Sequence, residues 1–158
     1  PIDLQRLTPA PTAGRILATF ELCKRLAREQ TQERPVIASA ADAAALLADM
    51  AYLAQEIERV LLLDINRRVI AAPTVYIGTL TTSVLRASEI YREAIVRGSA
   101  MLILAHNHPS GDPTPSPEDV EMTRSLAAAG RLLDIALVDH LIIGRGKWVS
   151  LREMGFSF

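Results

Sequence analysis

The sequence predicts an α/β fold in which a mixed sheet is flanked by helices. Three observations carry this expectation. Dense aliphatic runs stand at residues 60–63 (VLLL) and 101–105 (MLILA), helical periodicity flanks them, and two apolar segments close the chain at 135–143 and 148–151. A continuous apolar run such as 101–105 suits a central strand buried on both faces. With 158 residues the chain can form one domain with a short appendage. Apolar residues make up 49% and aromatics only 4%, so the core must be built from Leu, Ile, Val and Ala.

Taken in order, residues 1–13 carry Pro9 and Pro11 and read as a lead-in. Over residues 14–29, Ile16, Leu17, Phe20, Cys23 and Ala27 recur at helical spacing. The polar stretch 29–35 (EQTQERP) reads as a linker, dividing the chain into a helical segment, 1–34, and a main domain, 35–158. Ser39 is placed to cap a helix running to about residue 54, with Leu46, Leu47, Met50 and Leu53 on it. Residues 64–67 (DINR) make a turn, and 69–72 and 75–77 continue as strands. Ser88 reads as the cap of a helix over 89–97, ended by Gly98, with Glu89 as a helix-start charge. A proline-rich loop then leads into a helix from Pro117 to about Ala129, stopped by Gly130.

Composition counts against several classes of function. A net charge of −1 offers no footprint for nucleic acid, and Lys24, Arg25 and Arg28 read as a solvated helix face. A single cysteine, Cys23, cannot form an internal disulfide and is expected to pack on a helix face. No secretory signal is visible, and no apolar run reaches the roughly 18 residues of a membrane span. The chain therefore reads as cytoplasmic, and its first residue, Pro1, suggests a fragment or a processed chain.

The chemistry concentrates in residues 106–119, H-N-H-P-S-G-D-P-T-P-S-P-E-D. His106 and His108 are two apart, so on an extended backbone they project to the same side, just after the buried strand. Pro109 and Gly111 end that strand, while Pro113, Pro115 and Pro117 stiffen the loop. Ser116, Pro117 and Asp119 form a helix start, with Ser as N-cap and Asp at the third position. Asp119 thus has two readings. It can close a capping pair with Ser116, or it can join the two histidines in the two-imidazole, one-carboxylate set of catalytic zinc sites. Asp139-His140 has no recognisable catalytic spacing, and His140 reads as a buried or supporting histidine.

The spacing H-x-H-x7-S-x2-D, met at His106, His108, Ser116 and Asp119, resembles the JAMM (MPN) metalloprotease signature. More narrowly, HNHPSGDPTPS resembles the bacterial RadC family. So do Gly78-Thr79-Leu80, the run DHLIIG beginning at Asp139, and Ser150-Leu151, over roughly residues 36–156. Residues 1–34 resemble the remnant of a helix-hairpin-helix region. The resemblance implies the three-layer, cytidine-deaminase-like MPN fold and one zinc ion per chain held by His106, His108 and Asp119. It also implies an oxyanion-stabilising hydroxyl at Ser116 and an upstream general base, best matched by Glu56, with Glu58 as rival. The implied reaction is zinc-dependent hydrolysis of an amide or isopeptide bond in a peptide or protein substrate. One departure stands out, since the family's usual proline-arginine is here Ala87-Ser88. The alternatives are a DNA-repair module and a metal-binding scaffold without catalysis. A zinc deaminase is excluded because its P-C-x-x-C ligands are missing. No membrane association is expected, and a homo-oligomer is compatible with this reading.

Overall fold

The computed structural model describes residues 10–32, 34–77 and 86–158. The chain forms two compact units, Pro1–Arg34 and Pro35–Phe158. Helix α1 (Ala10–Gln32) makes up the described part of the first and extends beyond the periodic stretch at both ends. Leu17, Phe20 and Cys23 are exposed on it, so the expected packing of Cys23 is not met.

In the second unit, strands β1 (Ile57–Leu63), β2 (Val69–Ala71), β3 (Thr74–Ile77), β4 (Met101–Asn107), β5 (Ala136–Gly144) and β6 (Lys147–Ser150) form one sheet. Its order is β2-β1-β4-β5-β6, with β3 also pairing with β1. Among the described residues, only β4 and β5 run parallel, joined through helix α4 (Pro117–Leu132); every other described pair is antiparallel. The sheet is therefore mixed, as its aliphatic runs predict. Both faces are covered, which explains why residues 60–63 are all apolar and all buried.

Alternation divides the core into two layers. Leu61, Leu63, Ile103, Ala105, Leu141 and Ile143 pack on one face against helix α2 (Ala40–Leu46) and a short 3-10 helix (Ala48–Tyr52). Val60, Leu62, Leu102 and Leu104 pack on the other, against helix α3 (Ala87–Val96) and α4.

Two helix expectations need correcting. The helix capped by Ser39 does not run unbroken to residue 54, but breaks at Leu47 and continues as the 3-10 turn. Residues three apart eclipse in that geometry, which keeps Leu47 and Met50 buried together. Ser88 does not cap α3: the helix begins at Ala87, with Arg86 at the cap position and no side-chain cap.

A bulge interrupts the β4–β5 ladder and decides which way His140 faces. Leu102 pairs with Leu137, but Ile103 pairs with Asp139, leaving Val138 as an extra residue. One inserted residue reverses side-chain parity downstream. His140, opposite Leu104, therefore faces the α3/α4 layer instead of the α2 layer. Asp139 secures this corner, accepting hydrogen bonds from Ser150 Oγ at 2.6 Å and from the backbone N–H groups of His140 and Arg152 at 2.7 and 3.2 Å.

Gly130 does not stop α4, which continues to Leu132. Its role is close approach: a Cβ there would collide with the Ile135 carbonyl oxygen and the Tyr91 hydroxyl. Helix propensity alone favours alanine over glycine by about 1 kcal/mol. The collision is with backbone, which cannot yield cheaply, and overpacking costs about 1–3 kcal/mol. Gly130→Ala is expected to lower stability in chemical denaturation; a variant more stable than the parent contradicts this packing.

Candidate metal centre

Strand β4 runs past its apolar stretch through Asn107, so His106 lies inside the strand and is fully buried, whereas His108 stands just beyond it. This corrects the expectation that both histidines follow the strand. Even-numbered residues of β4 face α3 and α4, so His106 continues the stripe of Leu102 and Leu104. The backbone N–H of His108 donates to the Ile143 carbonyl at 3.0 Å, tying the loop to β5. Gly111 turns that loop with φ of 88°, a conformation that favours glycine. The imidazole Nδ1 of His108 donates to the Asp112 carbonyl oxygen at 2.7 Å. A carbonyl only accepts, so the hydrogen of a neutral His108 sits on Nδ1 and Nε2 presents a lone pair.

Asp119 closes the capping pair with one oxygen and brings the other beside His106. Its Oδ2 accepts from the Ser116 backbone N–H at 2.8 Å and from Ser116 Oγ at 2.7 Å, while its own N–H donates to Ser116 Oγ at 3.1 Å. This is a complete capping box at the start of α4. Its Oδ1 is buried and has no hydrogen-bond partner among the described residues. That oxygen lies 3.4 Å from His106 Nε2, Asp119 Oδ2 lies 3.8 Å from His108 Nε2, and the two Nε2 atoms are 3.0 Å apart.

Glu56 and Glu58 both reach this place. Ligand-type atoms of Glu56, His106 and His108 lie within 4.8 Å of one another, as do those of Glu58, His106 and His140. Asn107, whose side chain sequence reasoning passed over, positions Glu56. Its Oδ1 accepts from the Ile57 N–H at 2.9 Å, and its Nδ2 donates to the carbonyls of Leu53 and Gln55 at 3.4 and 3.1 Å. It thus clamps the chain on both sides of Glu56. The middle position of H-x-H, which strand alternation turns away from the histidines, was the available signal. Glu58 pairs with His106 across the β1–β4 ladder and is fully buried, with neither carboxylate oxygen hydrogen-bonded among the described residues.

Burial dominates the electrostatics. It raises the Glu56 carboxyl above its ordinary value, opposed by His108 and assisted by Asp119. It raises Glu58 well above its ordinary value, reinforced by Glu56 and Asp119. It lowers His106 to about 4, with Asp119 opposing and His108 assisting. It lowers His140 well below the ordinary value, assisted by His106 and His108. Without an ion, the buried histidines are neutral at neutral pH. Ligand-type atoms of Glu56, His106 and His108 lie close enough together to share a divalent transition metal, and the buried Asp119 Oδ1 stands 3.4 Å from His106 Nε2. The residues present can therefore hold such an ion.

A carboxyl whose folded pKa lies above its unfolded value stabilises the fold only while protonated. For Glu58 that contribution is complete below the ordinary value of 4.5 and is lost as pH rises toward the folded value. Glu58→Gln removes the titration while keeping the shape. In denaturant melts of metal-free protein, the variant should gain on the parent as pH rises above 4.5. A constant difference across that range contradicts the burial of an ionisable group here.

The chain matches the RadC-like JAB domain family over residues 37–156, in keeping with its HNHPSGDPTPS run. It is 53% identical over 159 residues to a UPF0758 protein of Chloroflexus aggregans, covering 99% of this chain and 69% of that one. It is 48% identical over 146 residues to a UPF0758 protein of Roseiflexus castenholzii, covering 92% and 63%. With a UPF0758 protein of a Geobacillus species the identity is 46% over 145 residues, covering 91% and 64%. The chain spans about two thirds of the length of these relatives. Gly78, Thr79 and Leu80, part of the resemblance, fall outside the described residues. No helix among the described residues is long and apolar enough to cross a membrane. From residue 37 to residue 156, then, this chain belongs to the RadC-like JAB domain family.

Proposed function

We propose that this chain is a zinc-dependent hydrolase of amide or isopeptide bonds in peptides or proteins, with one zinc held by His106, His108 and Asp119. The observation that carries the reading is Asp119 Oδ1, buried and unpartnered 3.4 Å from His106 Nε2. When bound, zinc supplies Lewis-acid polarisation of a carbonyl and lowers the pKa of water toward 7. Glu56 takes the proton from the attacking water and returns it to the leaving amine. Its partial burial and raised pKa suit a group that must both accept and give a proton. Glu58 is less suited, because complete burial disfavours its charged form. The hydroxyl hydrogen of Ser116 points to Asp119 Oδ2, so Ser116 serves the oxyanion by turning toward it during the reaction.

Purified parent protein should carry close to one zinc by mass spectrometry and cleave members of a peptide library in a chelator-sensitive way. Replacing His106 and His108 by Ala should remove stoichiometric zinc; undiminished zinc in that double variant sinks the assignment. Asp119→Ala should lose the cap, at about 0.5–2 kcal/mol, and most zinc affinity as well. A lowered melting temperature with full zinc would leave Asp119 as a cap alone. Affinity should also fall in acid, because imidazole ligands must be neutral to bind.

Glu56→Gln keeps the shape and removes the proton acceptor. Zinc content should stay near one while turnover falls by roughly 10²–10⁴-fold. Parent-like turnover in this variant would remove Glu56 from the mechanism.

A further inference from the structure

We propose that His140 and Thr123 are positioning residues that fix the tautomer of His106 and tie it to Asp119. The proposal rests on the zinc reading for its functional consequence, but not for its geometry. Behind the candidate metal centre runs a chain of buried hydrogen bonds. His106 Nδ1 lies 2.8 Å from His140 Nε2, and His140 Nδ1 lies 2.6 Å from Thr123 Oγ1. Thr123 Oγ1 in turn donates to the backbone carbonyl of Asp119.

The far end sets the polarity of the whole chain. A carbonyl oxygen only accepts, so the single hydroxyl hydrogen of Thr123 goes to Asp119. Thr123 Oγ1 can then only accept, and His140 must carry its hydrogen on Nδ1. A neutral imidazole has one N–H, so His140 Nε2 is an acceptor and His106 donates to it from Nδ1. Glu58 Oε1, at 4.0 Å from His106 Nδ1, is too far to compete. His106 Nε2 is left as a bare lone pair. It faces His108 Nε2 at 3.0 Å and Asp119 Oδ1 at 3.4 Å.

Two further features agree with this. The chain starts on one candidate ligand, carried by β4, and ends on the backbone of another, carried by α4. It therefore holds the separation of the two elements before any ion arrives. His140 also reaches the correct face only through the bulge at Val138, since an unbulged strand would point it into the opposite layer. A threonine bonding back to the carbonyl four residues earlier is common in helices and by itself means little. Here the same oxygen also receives the imidazole, and that gives the bond a direction.

The test uses the full chain with 15N-labelled histidine. In the metal-free parent, long-range nitrogen–proton NMR should find both His106 and His140 with hydrogen on Nδ1. Thr123→Val removes the hydroxyl at nearly constant shape and should weaken zinc binding, in chelator competition, by roughly 10–100-fold. Thr123→Ser should restore it. Melting of the metal-free variants separates this effect from loss of fold, which Thr123→Ser must not show. Hydrogen on His106 Nε2 in the parent overturns the proposal, as does a folded Thr123→Val variant with parent affinity. Should Thr123→Val fail to fold, the parent spectrum and Thr123→Ser still decide. A parent with the expected tautomers but no zinc affinity refutes the zinc reading and leaves the hydrogen-bond order standing.

Discussion

Asp119 is buried with two carboxylate oxygens and, among the described residues, a hydrogen-bond partner for only one of them. Oδ2 is spent on starting α4, and that cap fixes where Oδ1 goes, toward His106 Nε2. On the other side the Asp112 carbonyl orients His108 so that it too presents an acceptor. Acceptors facing one another in a water-poor place are unfavourable unless something positive lies between them. A fold that assembles such a group is stabilised by the cation that completes it, so metal binding and folding are linked.

The sheet supplies the precision. Even-numbered residues of β1 and β4 form one stripe, in which Glu58 extends Val60 and Leu62 while His106 extends Leu102 and Leu104. The polar site is thus the end of an apolar row, and burial of its first histidine follows from strand alternation. Packing on both faces of β4 also makes that histidine rigid, which loop residues alone could not achieve. The bulge in β5 adds His140 to the same row from the neighbouring strand. Three strands and one helix start therefore contribute side chains to a space a few ångströms across.

Much of this was legible in the sequence. The aliphatic runs located β1 and β4, and the serine–proline–acid start located α4 to the residue. The histidine spacing and the acid eleven residues beyond His108 marked the centre. What the sequence hid depended on contacts between distant segments. The turn of helix at Leu47 follows from burying Leu47 with Met50, and Gly130 answers to Tyr91 and Ile135 across the layer. A bulge leaves no local pattern, so the facing of His140 could not be read, nor could its contact with Thr123. Asp119 turns one oxygen to the cap and the other toward His106, which one letter of sequence does not display. Asn107 was overshadowed by its neighbours, although it holds the segment that carries Glu56.

The central claim is that the lone pairs of His106 and His108 and the free oxygen of Asp119 share one cation. Anomalous diffraction at the zinc edge, from crystals grown with zinc and without chelator, addresses it most directly. The account predicts a single strong peak with two imidazole nitrogens at about 2.0–2.1 Å and one carboxylate oxygen at about 2.0–2.2 Å. A peak elsewhere, or a zinc-replete crystal with Asp119 Oδ1 still unligated, would contradict it.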